Sequence, residues 1–304
     1  MTYPQNIESK IDFQVIRDSL KGCCTSSLGK EKVEQMQWQT DYSSIQIQLQ
    51  YLREMMAVHT DPTLSFPHGE IYDLREALSR IRIEGLFLDE AELFSLSKLL
   101  DYAAQLERFF ATLDKVKYPL LSSNHIASSP NSLIALIERI LDRYGKMRDN
   151  ASPELARIRK EISASQGAVS RTLHAILRQA QAEGILDKDA APTMREGRLV
   201  LPVPPAYKRK IGGIVHDESA TGKTVFIEPQ QVVEANNRIR ELEGEERRER
   251  IRILMAITAE IRPEIPAISA TEDYLAEVDF LRAKALFALD IHAIVPELHN
   301  RPQI

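Results

Sequence analysis

From Ile7 to about Leu113 the apolar positions recur at intervals of three and four, as in Ile7, Ile11, Val15 and Ile16, and again in Leu93, Leu96, Leu100 and Leu106. That is the period of a helix with one buried face, so this stretch reads as helix after helix. The breaks carry turn chemistry: Gly22 to Ser27, Asp61-Pro62 through Gly69, Gly85 ahead of an Asp89 cap, and Ser128-Ser129-Pro130.

A further helix is predicted from Asn131 to about Tyr144, and Ser152-Pro153 then reads as a fresh start, with Ser152 as N-cap and Pro153 as first helical residue. Leu155, Ile158, Ile162, Ser165, Val169, Thr172, Ile176 and Gln179 follow in alternating steps of three and four, the seam of a helix that needs a partner helix. The partner comes later, from about Gln230 to Ile261, with a weaker seam of Val232, Asn236, Ile239, Glu243, Glu246, Arg250, Ile253, Ile257 and Ile261. Basic and acidic residues balance along it, as on a solvated helix laced with i,i+4 pairs. Two such helices of ~30 residues would form an arm of roughly 45 Å at 1.5 Å per residue.

Between them, residues 187 to 229 change character, with five prolines, four glycines and short β-branched runs. Arg198 to Val203, Gly213 to His216 and Thr224 to Ile227 read as strands, with Ala220-Thr221-Gly222-Lys223 as a hairpin turn. Prolines 263 and 266 end the second long helix, and Thr271 to Leu289 reads as one more amphipathic helix.

A chain of 304 residues with 43% hydrophobic content is large enough for two domains or one elongated body. Its formal charge of -5 argues against a coat of positive charge, so any nucleic-acid grip must be local. The cysteines, Cys23 and Cys24, are adjacent, too close for an ordinary disulfide and too few for a zinc site, and point to a reducing compartment. The opening MTYPQNIESK has no basic stretch followed by an apolar one, and no run reaches the ~18 apolar residues of a membrane span, so the expected location is cytoplasmic and the membrane is not an expected partner.

Candidate chemistry is sparse. Ala220-Thr221-Gly222-Lys223-Thr224 resembles the end of a phosphate-binding P-loop, but the glycine required five positions before Gly222 is Asp217, and a strand follows where a helix should. The seven histidines are scattered without metal-ligand spacing, and no serine or cysteine sits in a nucleophile elbow. Neither a catalytic group nor a metal is expected. What remains is charge: Arg195, Arg198, Lys208, Arg209, Lys210 and Lys223 stand against Glu196, Asp217 and Glu218, a local excess of positive charge that could grip a phosphate backbone without reading sequence. The same charges would equally well solubilise edge strands.

The run GRLVLPV and then GIVHDESATGKTVFIEPQQVVEANNRIRELE, preceded by DNASPELARIRKEI, closely resembles the MutS family, in particular its second bacterial branch, the one associated with suppressing recombination. Ser27-Leu28-Gly29-Lys30-Glu31 is similar to that branch's first core segment, and the resemblance runs from about residue 7 to 295. It implies a mainly α fold: a helical core, two long antiparallel lever helices and a small inserted β clamp that closes around DNA in a dimer. The corresponding boundaries are 1–130 for the first part of the core, 131–186 for the ascending lever helices, 187–229 for the clamp, 230–262 for the descending lever and 263–304 for the returning core helix. On the clamp, Lys208, Arg209, Lys210, Thr221 and Lys223 become candidate phosphate contacts, with Arg195 and Arg198 beside them.

The family's ATPase domain, with its true P-loop, its ATP and magnesium and most of its dimer interface, and the nuclease domain that often ends this branch, have no counterpart in these 304 residues. The expectation is therefore a piece of a longer protein, not an enzyme by itself and holding no cofactor. The opening directly into core helices also agrees with a branch lacking a mismatch-reading domain. The implied partners are branched or duplex DNA and, in the whole protein, a second copy. Two other readings stay open: arms that engage collided ribosomes and their RNA, and a helical scaffold that contacts only protein.

Overall fold

The structure, a computed structural model, describes residues 7–126 and 130–300. The opening residues 1–6 and the break at Ser128-Ser129 lie outside the described residues. The chain divides into two compact units, one made of Met1–Lys146 with Leu254–Ile304 and the other of Met147–Ile253.

The first unit is helical: α1 (Ile7–Lys10), α2 (Phe13–Cys23), α3 (Ser27–Glu34), α4 (Tyr42–Thr60), α5 (Arg75–Arg80), α6 (Glu90–Thr112) and α7 (Ser132–Ile140) precede the second unit in sequence. The expected breaks at Gly22 to Ser27, Asp61 to Gly69 and Gly85 are present. Asp89 caps α6 in a reciprocal capping box with Glu92, worth about 1 kcal/mol. Leu93, Leu96, Leu100 and Leu106 are fully buried, as their spacing predicts. The first apolar stripe is not: Ile11 and Val15 are exposed, and α2 instead buries Arg17 and Leu20. Asp12, at φ 53° in the left-handed region, separates α1 from α2, so one helical period does not run through both. Arg17 satisfies the carbonyl end of α3, donating to the oxygens of Val33, Glu34 and Met36, while Glu8 neutralises it at 2.8 Å.

Helices α8 (Pro153–Ala182), α9 (Lys208–Ile211), α10 (Gln230–Ile261) and α11 (Ile265–Asp290) complete the helical elements. Within the first unit α11 packs against α2, α3, α4 and α6. It buries residues around much of its circumference, among them Ile268, Leu275, Val278 and Ala283, as a central helix must. The prolines expected to end the preceding helix do so through one 3-10 turn, Arg262–Glu264, but Pro266 then sits in the first turn of α11, where a missing N–H costs nothing. The helix expected from Thr271 therefore begins six residues earlier, at Ile265.

The second unit holds α8, most of α10 and a four-stranded antiparallel sheet of β1 (Thr193–Arg195), β2 (Arg198–Val203), β3 (Gly213–Glu218) and β4 (Val225–Pro229), in the order β1-β2-β4-β3. Ser152 caps α8, accepting from Leu155 N at 3.0 Å, with Pro153 as the first helical residue. Polar contacts pair α8 antiparallel with α10: Ser152 with Glu249, Arg159 with Glu246 at 2.8 Å, and Glu161 with Arg238 at 2.8 Å. Those bonds draw Arg238, Glu246 and Glu249 from the balanced charge on α10.

Both seams depart in part from their expected positions. Leu155, Ile158 and Val169 are buried, but beyond them the buried residues are Leu173, Leu177 and Ala180, with Gln179 exposed. A straight helix repeats every 3.6 residues, so a strict 3.5 seam drifts around it, and this half of α8 joins a cluster built from Leu201 and Val203 of β2 and Val225 and Ile227 of β4. On α10, Leu242 and Glu249 are buried where Glu243 and Arg250 were expected.

The sheet contains the three expected strands and one more. β1 pairs with β2 through a two-residue turn, Glu196-Gly197, whose φ values of 48° and 73° match the twist of a hairpin. β4 is buried along its whole length. By the two-residue alternation of a strand, Val225 and Ile227 face the core cluster, and Phe226 and Glu228 face the other side.

Candidate nucleic-acid interface

Pro204 and Pro205 end β2 and lead through a 3-10 turn into the four-residue helix α9, which presents Lys208, Arg209 and Lys210 to solvent. Tyr207 and Ile211 anchor it on the core cluster, and Lys210 lies 5.7 Å from the Tyr207 ring. Gly212 and Gly213 then turn the chain into β3 at φ 64° and 139°. A side chain at Gly213 would collide with the carbonyl oxygen of Glu228, so glycine is required there on two counts.

Thr221 and Lys223 are exposed in the turn between β3 and β4. The turn is held by its own bonds: Ser219 N donates to Thr224 O at 2.8 Å, Gly222 N to Ser219 O at 2.8 Å, and Thr224 N to the Ser219 hydroxyl at 3.0 Å. The stretch Ala220 to Thr224 therefore runs from strand to strand and not from a strand into a helix. With Asp217 and Glu218 immediately before it, it does not fit a nucleotide phosphate.

The two remaining candidates are placed differently. Arg195 is part-exposed, with its guanidinium 4.1 Å from the centre of the Phe226 ring and its Nε 3.1 Å from Asp217. Arg198 is half-buried, its side chain 12% exposed. Its guanidinium donates to both oxygens of Glu228, at 2.7 and 2.9 Å, and to Asn237 at 2.6 Å. Glu228 is wholly buried and also accepts from Asn236 at 2.7 Å and contacts His216 Nε2 at 2.6 Å. Burial alone would push its carboxyl up, but the bonds from Asn236, His216 and Arg198 outweigh it and hold the group below the usual carboxylate range. His216 reaches it at a register shift of β3 between Val215 and Asp217.

The arrangement thus separates two kinds of basic residue. Lys208, Arg209, Lys210 and Lys223 have exposed side chains with no carboxylate partner among the described residues. Arg198, and in part Arg195, hold the sheet together. The network around Glu228 was not anticipated, although a lone glutamate in the apolar run Val225-Phe226-Ile227-Glu228 is a signal that a partner must exist. Among the described residues no group of three or more histidines, cysteines, aspartates and glutamates is placed to hold a metal, and no helix is long and apolar enough to cross a membrane.

No family model matches the chain. It is similar, however, to curated proteins named Endonuclease MutS2. That from Geobacillus sp. (strain WCH70) is 34% identical over 307 residues, covering 97% of this chain and 38% of the relative. That from Halalkalibacterium halodurans is 34% identical over 298 residues, with 96% and 37% covered, and that from Symbiobacterium thermophilum is 33% identical over 293 residues, with 96% and 36% covered. The chain spans less than two fifths of the length of these relatives. Over nearly all of its own length, then, this chain is homologous to proteins named Endonuclease MutS2, and they support its reading as a part of a MutS-family protein.

Proposed function

We propose that the chain is the DNA-embracing part of a MutS-family protein: a helical core, lever helices that include α8 and α10, and a clamp formed by the four-stranded sheet with α9. The clamp grips the phosphate backbone of branched or duplex DNA and serves in restraining recombination. ATP hydrolysis, dimerisation and nuclease activity belong, in this reading, to parts of the protein outside these residues. The chain itself binds and does not catalyse.

The observation that carries the reading is the set of four exposed cations, Lys208, Arg209, Lys210 and Lys223, free of carboxylate partners among the described residues. A phosphate backbone is recognised by such charges through counterion release, without base reading. Homologues whose printed name is an endonuclease support nucleic acid as the partner.

The test is binding of the 304-residue chain to a four-way DNA junction and to a matched duplex across a salt series, beside a variant with all four cations changed to alanine. Binding of the unaltered chain should weaken steeply with salt, and the variant should lose up to about 3–4 units of that log–log slope, at roughly 0.9 per phosphate contact. Identical salt slopes for the two proteins, or no binding by the unaltered chain at low salt, would remove the clamp from the role.

A further inference from the structure

Within the first unit, α2, α3, α4 and α11 surround an open pocket of about 710 Å³. One stripe of α11, Tyr274, Glu277, Leu281 and Lys284 at intervals of three and four, lines it, and Phe13, Trp38 and Tyr51 line it from other elements. Trp38 is 52% exposed. Its ring nevertheless packs against Phe13 at 6.1 Å and its indole hydrogen-bonds Glu8. The ring is thus held in place while half of it stays open to solvent, as a stacking surface for a flat ligand would be.

The charges on the lining say what else the ligand carries. Arg17 is committed to Glu8 at 2.8 Å, and Lys32 to Glu277 at 2.8 Å. Both carboxylates of the lining are thus matched, which leaves Lys284 with no carboxylate at ion-pair distance among the described residues. Lys284 is half-buried, with its Nζ 4.3 Å from the centre of the Phe280 ring. Burial holds its ammonium below the ordinary lysine range, and the charge of Glu277 opposes that effect. Since Glu277 is already bound to Lys32, one partly desolvated positive charge in the pocket is left to be answered from solution.

We propose that this pocket binds a small planar aromatic monocarboxylate, whose carboxylate accepts from Lys284 Nζ and whose ring lies against the aromatic lining that includes Trp38. A single carboxylate answers a single unmatched cation through a charge-assisted hydrogen bond. A second negative charge on the ligand would find no free cation, and a cationic ligand would find both carboxylates taken. The flat apolar body follows from the rings of Phe13, Trp38, Tyr51 and Tyr274.

The 304-residue chain has one tryptophan, Trp38, so its fluorescence reports occupancy of the pocket. Titration with phenylacetate tests the proposal, with phenylacetamide as the same body without charge and acetate as the charge without a ring. Phenylacetate should shift the emission saturably, phenylacetamide should bind about tenfold more weakly for want of one charge-assisted hydrogen bond, and acetate should not bind. Lys284→Met, which keeps an unbranched apolar side chain, should bring phenylacetate down to the level of phenylacetamide while leaving phenylacetamide unaffected, which also shows that the variant is folded. Trp38→Ala, an exposed substitution read by calorimetry, should weaken both aromatic ligands. No saturable binding of phenylacetate, equal binding of phenylacetamide or acetate to the unaltered chain, or phenylacetate binding unaltered in either variant would overturn the site.

Discussion

Asp279, in the middle of α11, accepts five hydrogen bonds from Thr25 and Ser26, and the backbone of Gly29 passes so close that a side chain there would collide with its carboxylate. Ser26 is the N-cap of α3, its hydroxyl accepting from Gly29 N at 2.9 Å. One buried carboxylate therefore fixes where α3 begins and how it meets α11. It also complements the positive end of α3.

Gly29→Ala should cost about 1–3 kcal/mol, the usual penalty of forcing extra atoms into a packed contact. Asp279→Ala should cost more, about 3 kcal/mol or above, because buried donors of Thr25 and Ser26 lose their acceptor. Urea unfolding followed by circular dichroism measures both. If both variants unfold at the same urea concentration as the unaltered chain, the junction does not contribute.

The pair of Arg198 and Glu228 makes a second prediction. Removing Arg198 takes the charged donor from Glu228 and leaves it Asn236 and His216 as partners, so Arg198→Ala should destabilise the second unit by about 1.5–3 kcal/mol. Arg195→Ala, which loses a part-exposed pair and a ring contact, should cost only about 1 kcal/mol. Hydrogen exchange across β2 and β4 reads the effect locally: protection should fall in the first variant and persist in the second.

The exposed cations can be told from the structural ones by salt dependence. If the clamp grips phosphates, Lys223→Ala should reduce the magnitude of the log–log salt slope by about 0.9 without lowering the melting temperature. Arg198→Ala should do the reverse, changing stability first. Fluorescence anisotropy with a labelled duplex, run beside thermal melts, separates the two behaviours.

Glu272, buried on α11 with Leu74 N donating to it at 2.7 Å, predicts a pH dependence of stability with an unusual sign. Its carboxyl titrates near 7 when folded, against a reference of 4.5, so between those values the folded chain holds more proton than the unfolded one. The stability it contributes is fully present below about pH 4.5 and is lost as pH rises through 7. Glu272→Gln, which keeps an acceptor for Leu74 N and carries no charge, should flatten this part of the profile and be more stable than the unaltered chain at pH 8. Chemical denaturation at pH 5, 6, 7 and 8 checks it, and an unchanged profile in the variant would show that Glu272 is not the titrating group.

Much of this molecule was legible along the chain, wherever a local rule decides the outcome. Ser152-Pro153 and Asp89 announce helix starts because capping involves only the next few residues. The β2 strand was readable to its boundaries, since prolines and glycines punctuate it. The mainly helical class, with a small β element between two long helices, follows from the helical spacing and from the prolines, glycines and β-branched runs that interrupt it.

What only the tertiary structure decided concerns which faces and charges are spent on packing. Ile11 and Val15 share a spacing with buried residues and are exposed, because Asp12 restarts the helix. Leu173 and Leu177 join the core beside the half-buried Ile176, and Thr172 stays outside it, because that half of α8 meets the sheet. Arg198 and Lys223 look alike in a count of basic residues, yet one is bound to a buried glutamate thirty positions away and the other is open to solvent. A sequence states its local conformational preferences and its charges, but whether a given charge is free depends on a partner that only folding brings to it.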